Sequence, residues 1–176
     1  MIPRGVTRET AESDNSHCDM EWLSTDNENK VPDQPVLLYL PGGAYVLRTP
    51  NFHRALVARL CKSADTRSLI CFYRLAPEHP FPACLDDAVT AYELLLSEGV
   101  PPSNIIVVGD SAGCGLALSL LLKLRDMGHP MPQGAVLISP LLDMAEHAPS
   151  RSKNARKDTA LPPASRRGIN PRELFM

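Results

Sequence analysis

The sequence predicts an α/β fold with a mostly parallel sheet and flanking helices, on three observations. Short apolar runs of strand length alternate with longer segments of helical period, at 36–40, 52–64, 68–73, 84–97, 105–108, 115–127 and 135–139. The runs at 36–40 and 105–108 are apolar without interruption, the pattern of a strand covered on both faces. Between the run at 105–108 and the helical segment after it stands Gly109-Asp110-Ser111-Ala112-Gly113, a Gly-x-Ser-x-Gly turn.

In chain order, residues 1–30 read as polar and irregular, although the sequence allows a strand around Cys18 to Leu23. A turn-rich link over 26–35 leads to Val36-Leu37-Leu38-Tyr39-Leu40, which ends in Pro41-Gly42-Gly43-Ala44-Tyr45. Paired glycines there let the backbone bend sharply and expose its N–H groups. Phe52, Leu56, Val57, Leu60, Cys61 and Ala64 fall on one helical face. A strand at 68–73 runs into Arg74-Leu75-Ala76-Pro77-Glu78-His79-Pro80-Phe81-Pro82, whose prolines exclude regular structure and require a rigid loop. Leu85, Ala88, Val89, Tyr92, Leu95 and Leu96 mark the next helix, stopped at Gly99. The last strand, at 135–139, is followed by Pro140-Leu141-Leu142-Asp143. The pattern therefore divides the chain into a domain over 1–147 and a basic, proline-containing tail over 148–176, without sustained structure beyond a short helix.

Bulk properties narrow the function classes. The 176 residues suffice for one domain, and 44% hydrophobic with 22% charged residues is a globular composition. No apolar run reaches the length of a bilayer span. The five cysteines lack metal-ligand spacing, and the polar N-terminus shows no secretory pattern, so a cytoplasmic protein with free thiols is expected. The net charge of −2 hides an acidic body and a tail with 7 Lys and Arg against 2 Asp and Glu. That tail has Phe175 as its one aromatic residue, so a solvated segment is expected there and no nucleic acid partner.

The chemistry centres on Ser111. A strand, a sharp turn and a helix with serine at the apex make a nucleophile elbow. The helix N-terminus turns its free N–H groups toward the reaction centre. A serine hydroxyl needs donors for the oxyanion that forms on attack and a base for its own proton. The donors are the N–H of Ala112 and those of the Gly42-Gly43-Ala44 loop, both at carboxyl ends of strands of one sheet. The base is harder to place. In the chain order serine, acid, histidine, the candidates after Ser111 reduce to Asp143 and His147, a short spacing that surface loop residues also produce. His129 stands at a helix end on the opposite side of the sheet, and His53 and His79 precede the serine.

Four motifs resemble the hormone-sensitive-lipase family of α/β-hydrolase esterases: Leu38 to Tyr45 (its oxyanion loop), Tyr73 to Ala83 (its proline-rich signature), Gly109 to Gly113 (its elbow, with aspartate before the serine) and Ser139 to Asp143. Together they span 36–143 in the family's order. The resemblance implies a serine carboxylester hydrolase acting on a short acyl ester or lactone, with no metal or organic cofactor. It implies Ser111 as the acylated nucleophile, Gly42, Gly43 and Ala112 as oxyanion donors, and Asp110, Glu78 and Arg74 as supports behind the site.

Three features depart from the family pattern. Pro41 replaces the histidine before the glycines, and Cys114 stands where a third glycine is usual. The sequence also stops short of the strands that carry the family's acid and histidine, so an incomplete α/β-hydrolase fold lacking the last strands is expected. Its strand at 135–139 would be a bare edge through which copies could self-associate, and turnover would be low. Two alternatives follow: a member that binds a small molecule without turnover, as the plant gibberellin receptors that resemble this family do, or an inactive truncated member.

Overall fold

Successive residues of a strand point to opposite faces of its sheet, and the alternation in 36–40 sets the layers of this protein. The computed structural model describes residues 4–11, 16–25, 34–142, 149–154 and 157. Its elements are β1 (Val6–Ala11), β2 (Asp19–Thr25), β3 (Val36–Leu40), α1 (Pro50–Ala64), β4 (Arg67–Phe72), α2 (Ala83–Ser97), a 3₁₀ turn (Pro102–Asn104), β5 (Ile105–Asp110), α3 (Ala112–Met127), β6 (Gly134–Ile138) and α4 (Pro149–Asn154). The strands form one sheet in the order β1-β2-β4-β3-β5-β6. The joints β4-β3, β3-β5 and β5-β6 are parallel, and β1-β2 and β2-β4 antiparallel. Val36, Leu38 and Leu40 face a core completed by Leu69, Ile105 and Val107 and by Leu95 and Leu120 of α2 and α3. Leu37 and Tyr39 face the other way, against Val57, Ala58 and Cys61 of α1. With both faces covered, β3 has no polar position to spare, which is why it reads as an unbroken apolar run.

The predicted α/β class holds, with three differences in detail. Residues 6–11 form a strand where the sequence reads as irregular. The reason is position: β1 lies at the sheet edge, its Thr, Arg and Glu side chains are exposed, and no apolar alternation marks it. Second, α3 begins at Ala112, ahead of the expected 115, because Gly113 and Gly115 serve close packing and do not interrupt the helix. Third, α1 begins at Pro50, a residue suited to a first turn whose N–H groups have no intrahelical acceptor.

At the other edge, β6 pairs with β5 alone among the described residues, and Val136 is half exposed. The tail contributes α4. No described helix is long and apolar enough to cross a membrane.

Candidate active site

Parallel pairing of β3 with β5, in the register Leu40 opposite Gly109, brings the loops after both strands to one end of the sheet. Ser111 stands at the end of β5 with φ 51° and ψ −116°, a conformation costly for any residue with a Cβ. It is held from both sides. The Ser111 N–H donates to Ile138 O at 2.9 Å, and its carbonyl accepts from Cys114 N at 3.1 Å and Leu141 N at 3.0 Å. The elbow tolerates no bulk at Gly113, where a Cβ would run into the Leu40 carbonyl. Cys114 does fit where a glycine is usual in the resembling family. Its buried thiol points back to Gly109 O at 3.1 Å and Ile138 O at 3.4 Å. Burial pushes that thiol above its ordinary pKa.

Asp110 organises the neighbouring loop. Its Oδ1 accepts from the Tyr39 hydroxyl at 2.7 Å and from the Gly42 N–H at 2.8 Å, and His53 Nε2 lies 3.5 Å away. His53 is buried, and its Nδ1 faces the Thr49 carbonyl at 3.0 Å. Burial alone would raise the Asp110 carboxyl, but the hydrogen bonds from His53, Tyr39 and Gly42 outweigh it and hold its pKa below the ordinary carboxylate value. Tyr39 moves the other way: burial and the facing carboxylate keep its phenol protonated, so it remains a donor.

The rest of the loop is pinned through its carbonyls. Pro41 O accepts from the Tyr73 hydroxyl at 2.6 Å. Gly43, at φ 135°, accepts at its carbonyl from Val46 N at 3.0 Å and Leu47 N at 2.8 Å. Ala44 and Tyr45 follow with φ of 52° and 62°. The Gly42 N–H, expected from the sequence to face an oxyanion, is given to Asp110 in this structure.

The proline-rich loop is attached separately. Ala76 N donates to Tyr45 O at 2.9 Å. Arg74 grips the buried Asp87 through its backbone N–H at 2.7 Å, its Nη2 at 2.8 Å and its Nε at 3.0 Å. Glu78 and His79 lie exposed on that loop. His129 pairs with Glu93 at 3.2 Å, away from the elbow. Asp143 and His147 lie outside the described residues, and among the described residues none hydrogen-bonds the Ser111 hydroxyl.

Sequence reasoning therefore brought Ser111, Ala112, Gly42, Gly43 and Asp110 together and missed His53, Tyr39, Tyr73 and Asp87. Tyr39 is hidden inside an apolar run. His53 sits beside the apolar stripe of α1, where a histidine gives no signal of its partner.

Comparison with known proteins agrees with this geometry. Residues 37–170 match the alpha/beta hydrolase fold family. An acetyl-hydrolase of Streptomyces hygroscopicus is 42% identical over 158 residues, 90% of this chain and 52% of that protein. An esterase of Acinetobacter venetianus is 38% identical over 126 residues, covering 72% and 42% of the two chains. Among solved structures, the hormone-sensitive-lipase homologue EstE7 from a metagenome library superposes with a TM-score of 0.86 at 34% identity, over 98% of this chain and 57% of that one. An esterase from the bacterial hormone-sensitive lipase family gives a TM-score of 0.83 at 36% identity, over 92% and 53%. The chain thus spans about half the length of the relatives it matches. With the match covering most of its length, the chain belongs to the α/β-hydrolase fold family, and it is similar to members of the bacterial hormone-sensitive lipase family.

Proposed function

We propose that Ser111 is the nucleophile of a carboxylester hydrolase site for short acyl esters or lactones. The observation that carries this reading is the backbone of Ser111, a strained non-glycine residue between a buried strand and a helix N-terminus, beside a loop held open by Asp110. In the proposed step the Ser111 hydroxyl oxygen attacks the ester carbonyl carbon. The carbonyl oxygen becomes an oxyanion and accepts hydrogen bonds from the Ala112 and Gly43 N–H groups. The tetrahedral adduct then expels the alcohol, leaving an acyl group on Ser111 that water removes. In this scheme Gly42 fixes the loop through Asp110. The serine proton passes to a base and from it to the oxygen of the departing alcohol, and His147 with Asp143 is the proposed pair. Relatives named as esterases and acetyl-hydrolases support the same reaction class.

The test is covalent. A fluorophosphonate probe reports a single event per chain, so it accumulates even on a slow nucleophile. Labelling is expected to map to Ser111 and to vanish in Ser111→Gly. Hydrolysis of short-chain p-nitrophenyl esters by the 176-residue chain is expected to be low and to vanish in the same variant. Loss of labelling in His147→Ala as well would assign the base. Labelling or turnover that survives Ser111→Gly would end the proposal. A chain that takes no label yet melts higher with a short ester or lactone would instead be the binding form of the fold.

Ser111→Gly carries a second expectation. Glycine reaches φ 51°, ψ −116° without the Cβ penalty, so the variant should be more stable by about 1 kcal/mol after the larger entropy of its unfolded chain is included. Urea denaturation measures it. A gain in stability with loss of labelling is what separates a strained nucleophile from a residue kept for structure.

A further inference from the structure

We propose that Cys18 and Cys71 form a redox-reversible disulfide site that ties β2 to β4, using hydrogen peroxide or a related peroxide as oxidant. The inference is independent of the ester hydrolase reading, because every readout below is a thiol count or a cross-link.

The placement follows from sheet geometry. Met20 stands opposite Cys71 in the antiparallel β2-β4 ladder. Cys18 lies two residues before Met20 and so on the same face, diagonal to Cys71. Their sulfurs are 3.7 Å apart. A disulfide needs about 2.05 Å, so the two must close by roughly 1.7 Å. Cys18 can supply that movement, because it precedes Asp19, the first residue of β2 in the ladder. Cys71 is fixed inside β4, its sulfur 3.7 Å from the Asp87 carbonyl.

The two sulfurs also differ in environment in the way an attacking and a resolving thiol must. Cys18 is partly exposed, whereas Cys71 is fully buried. The hydrogen bond from Cys71 favours the Cys18 thiolate, with help from Ser16 and the Arg48 cation, against burial and the Asp87 charge. Cys71 is driven the other way by that same hydrogen bond and by burial. The other three thiols lack this arrangement. Cys61 and Cys84 are buried and pushed up to about 12 and about 11 by it, and Cys114 is hydrogen-bonded to strand carbonyls. Among the described residues Cys18–Cys71 is the one pair of sulfurs in contact.

The chemistry balances in two steps. The Cys18 thiolate attacks one peroxide oxygen, the O–O bond breaks, and Cys18 becomes a sulfenic acid while hydroxide leaves as water. The Cys71 sulfur then attacks the Cys18 sulfur and displaces the sulfenic oxygen, which departs as water carrying the Cys71 proton. Two thiols lose two electrons in all, and one hydrogen peroxide becomes two waters, or one organic hydroperoxide becomes an alcohol and a water. A dithiol reductant reverses the result.

The experiment treats the folded 176-residue chain with hydrogen peroxide near neutral pH, alkylates the remaining thiols under denaturing conditions, and maps the products by mass spectrometry without reduction. The expected result is an intramolecular Cys18–Cys71 cross-link with Cys61, Cys84 and Cys114 alkylated, and all five cysteines alkylated once dithiothreitol is added first. Cys18→Ser, checked for folding by circular dichroism, should leave Cys71 alkylated and no cross-link. Cys71→Ser, where it folds, should hold Cys18 as a sulfenic acid that dimedone traps. Five free thiols after oxidation, a cross-link to any other cysteine, or a cross-link only between chains would each overturn the proposal.

Discussion

Gly113→Ala is expected to lower stability by about 3 kcal/mol or more, with a matching drop in the urea midpoint. A methyl at this position would sit on the Leu40 carbonyl and 3.0 Å from Pro41 O. Both are backbone atoms, so no rotamer change can clear them. Relief requires α3 to lift from the end of β3, and that movement would cost contacts of the buried Leu116, Ala117 and Leu120 with the sheet. The comparison variant is Gly134→Ala. No atom lies within 4 Å of its added methyl, so the change should stay within about 0.5 kcal/mol. Equal effects at 113 and 134 would mean that α3 does not press on β3 as described. Gly109→Ala meets backbone too, at Gly113 and Cys114, and because 109 and 113 share that contact their double variant should cost less than the two singles together.

The Gly113 contact also shows what was legible from sequence and what was not. The glycines of the elbow signal close approach, and the strand on one side and the helix on the other say where it occurs. The partner in that approach, the end of β3, is a matter of strand order, and sequence carries strand order only through the family resemblance. The same division runs through the site. Ser111 and the Gly42-Gly43 loop were readable because their backbone demands exclude most residue types. His53 and Tyr39 were not, because their roles come from one tertiary contact each and either would pass as a core residue. Cys18 and Cys71 were readable as thiols without spacing, and only the β2-β4 register brings them together. β1 was missed because an edge strand with charged side chains has no hydrophobic period to show.

Asp110→Ala is expected to destabilise the protein by about 3 kcal/mol, because it removes the acceptor shared by the Tyr39 hydroxyl, the Gly42 N–H and the His53 ring. The Tyr39 side chain is fully buried, and the Gly42 N–H would face the space the carboxylate leaves. Asp110→Asn should cost less, since an amide oxygen still accepts from one or both, but it removes the charge and with it the pH dependence. The sign follows from the depressed pKa of Asp110 in the folded chain. A carboxyl whose native pKa lies below its unfolded value contributes stability in full above the unfolded value, near pH 4, and loses it as pH falls through the native value. The stability gap between the native protein and Asp110→Asn should therefore be widest near pH 6 and shrink steadily below pH 4. Urea denaturation of both proteins across that range measures it, and a constant gap would show that the charge of Asp110 contributes nothing. The groups facing the carboxyl are the same in both proteins, His53 from α1, Tyr39 from β3 and Gly42 from the loop, so the difference isolates residue 110. The functional consequence runs through Gly42. Once its N–H is released, the loop loses the contact that orients Gly43. Fluorophosphonate labelling of Ser111 in Asp110→Ala should then slow by at least tenfold, even under conditions where the variant remains folded.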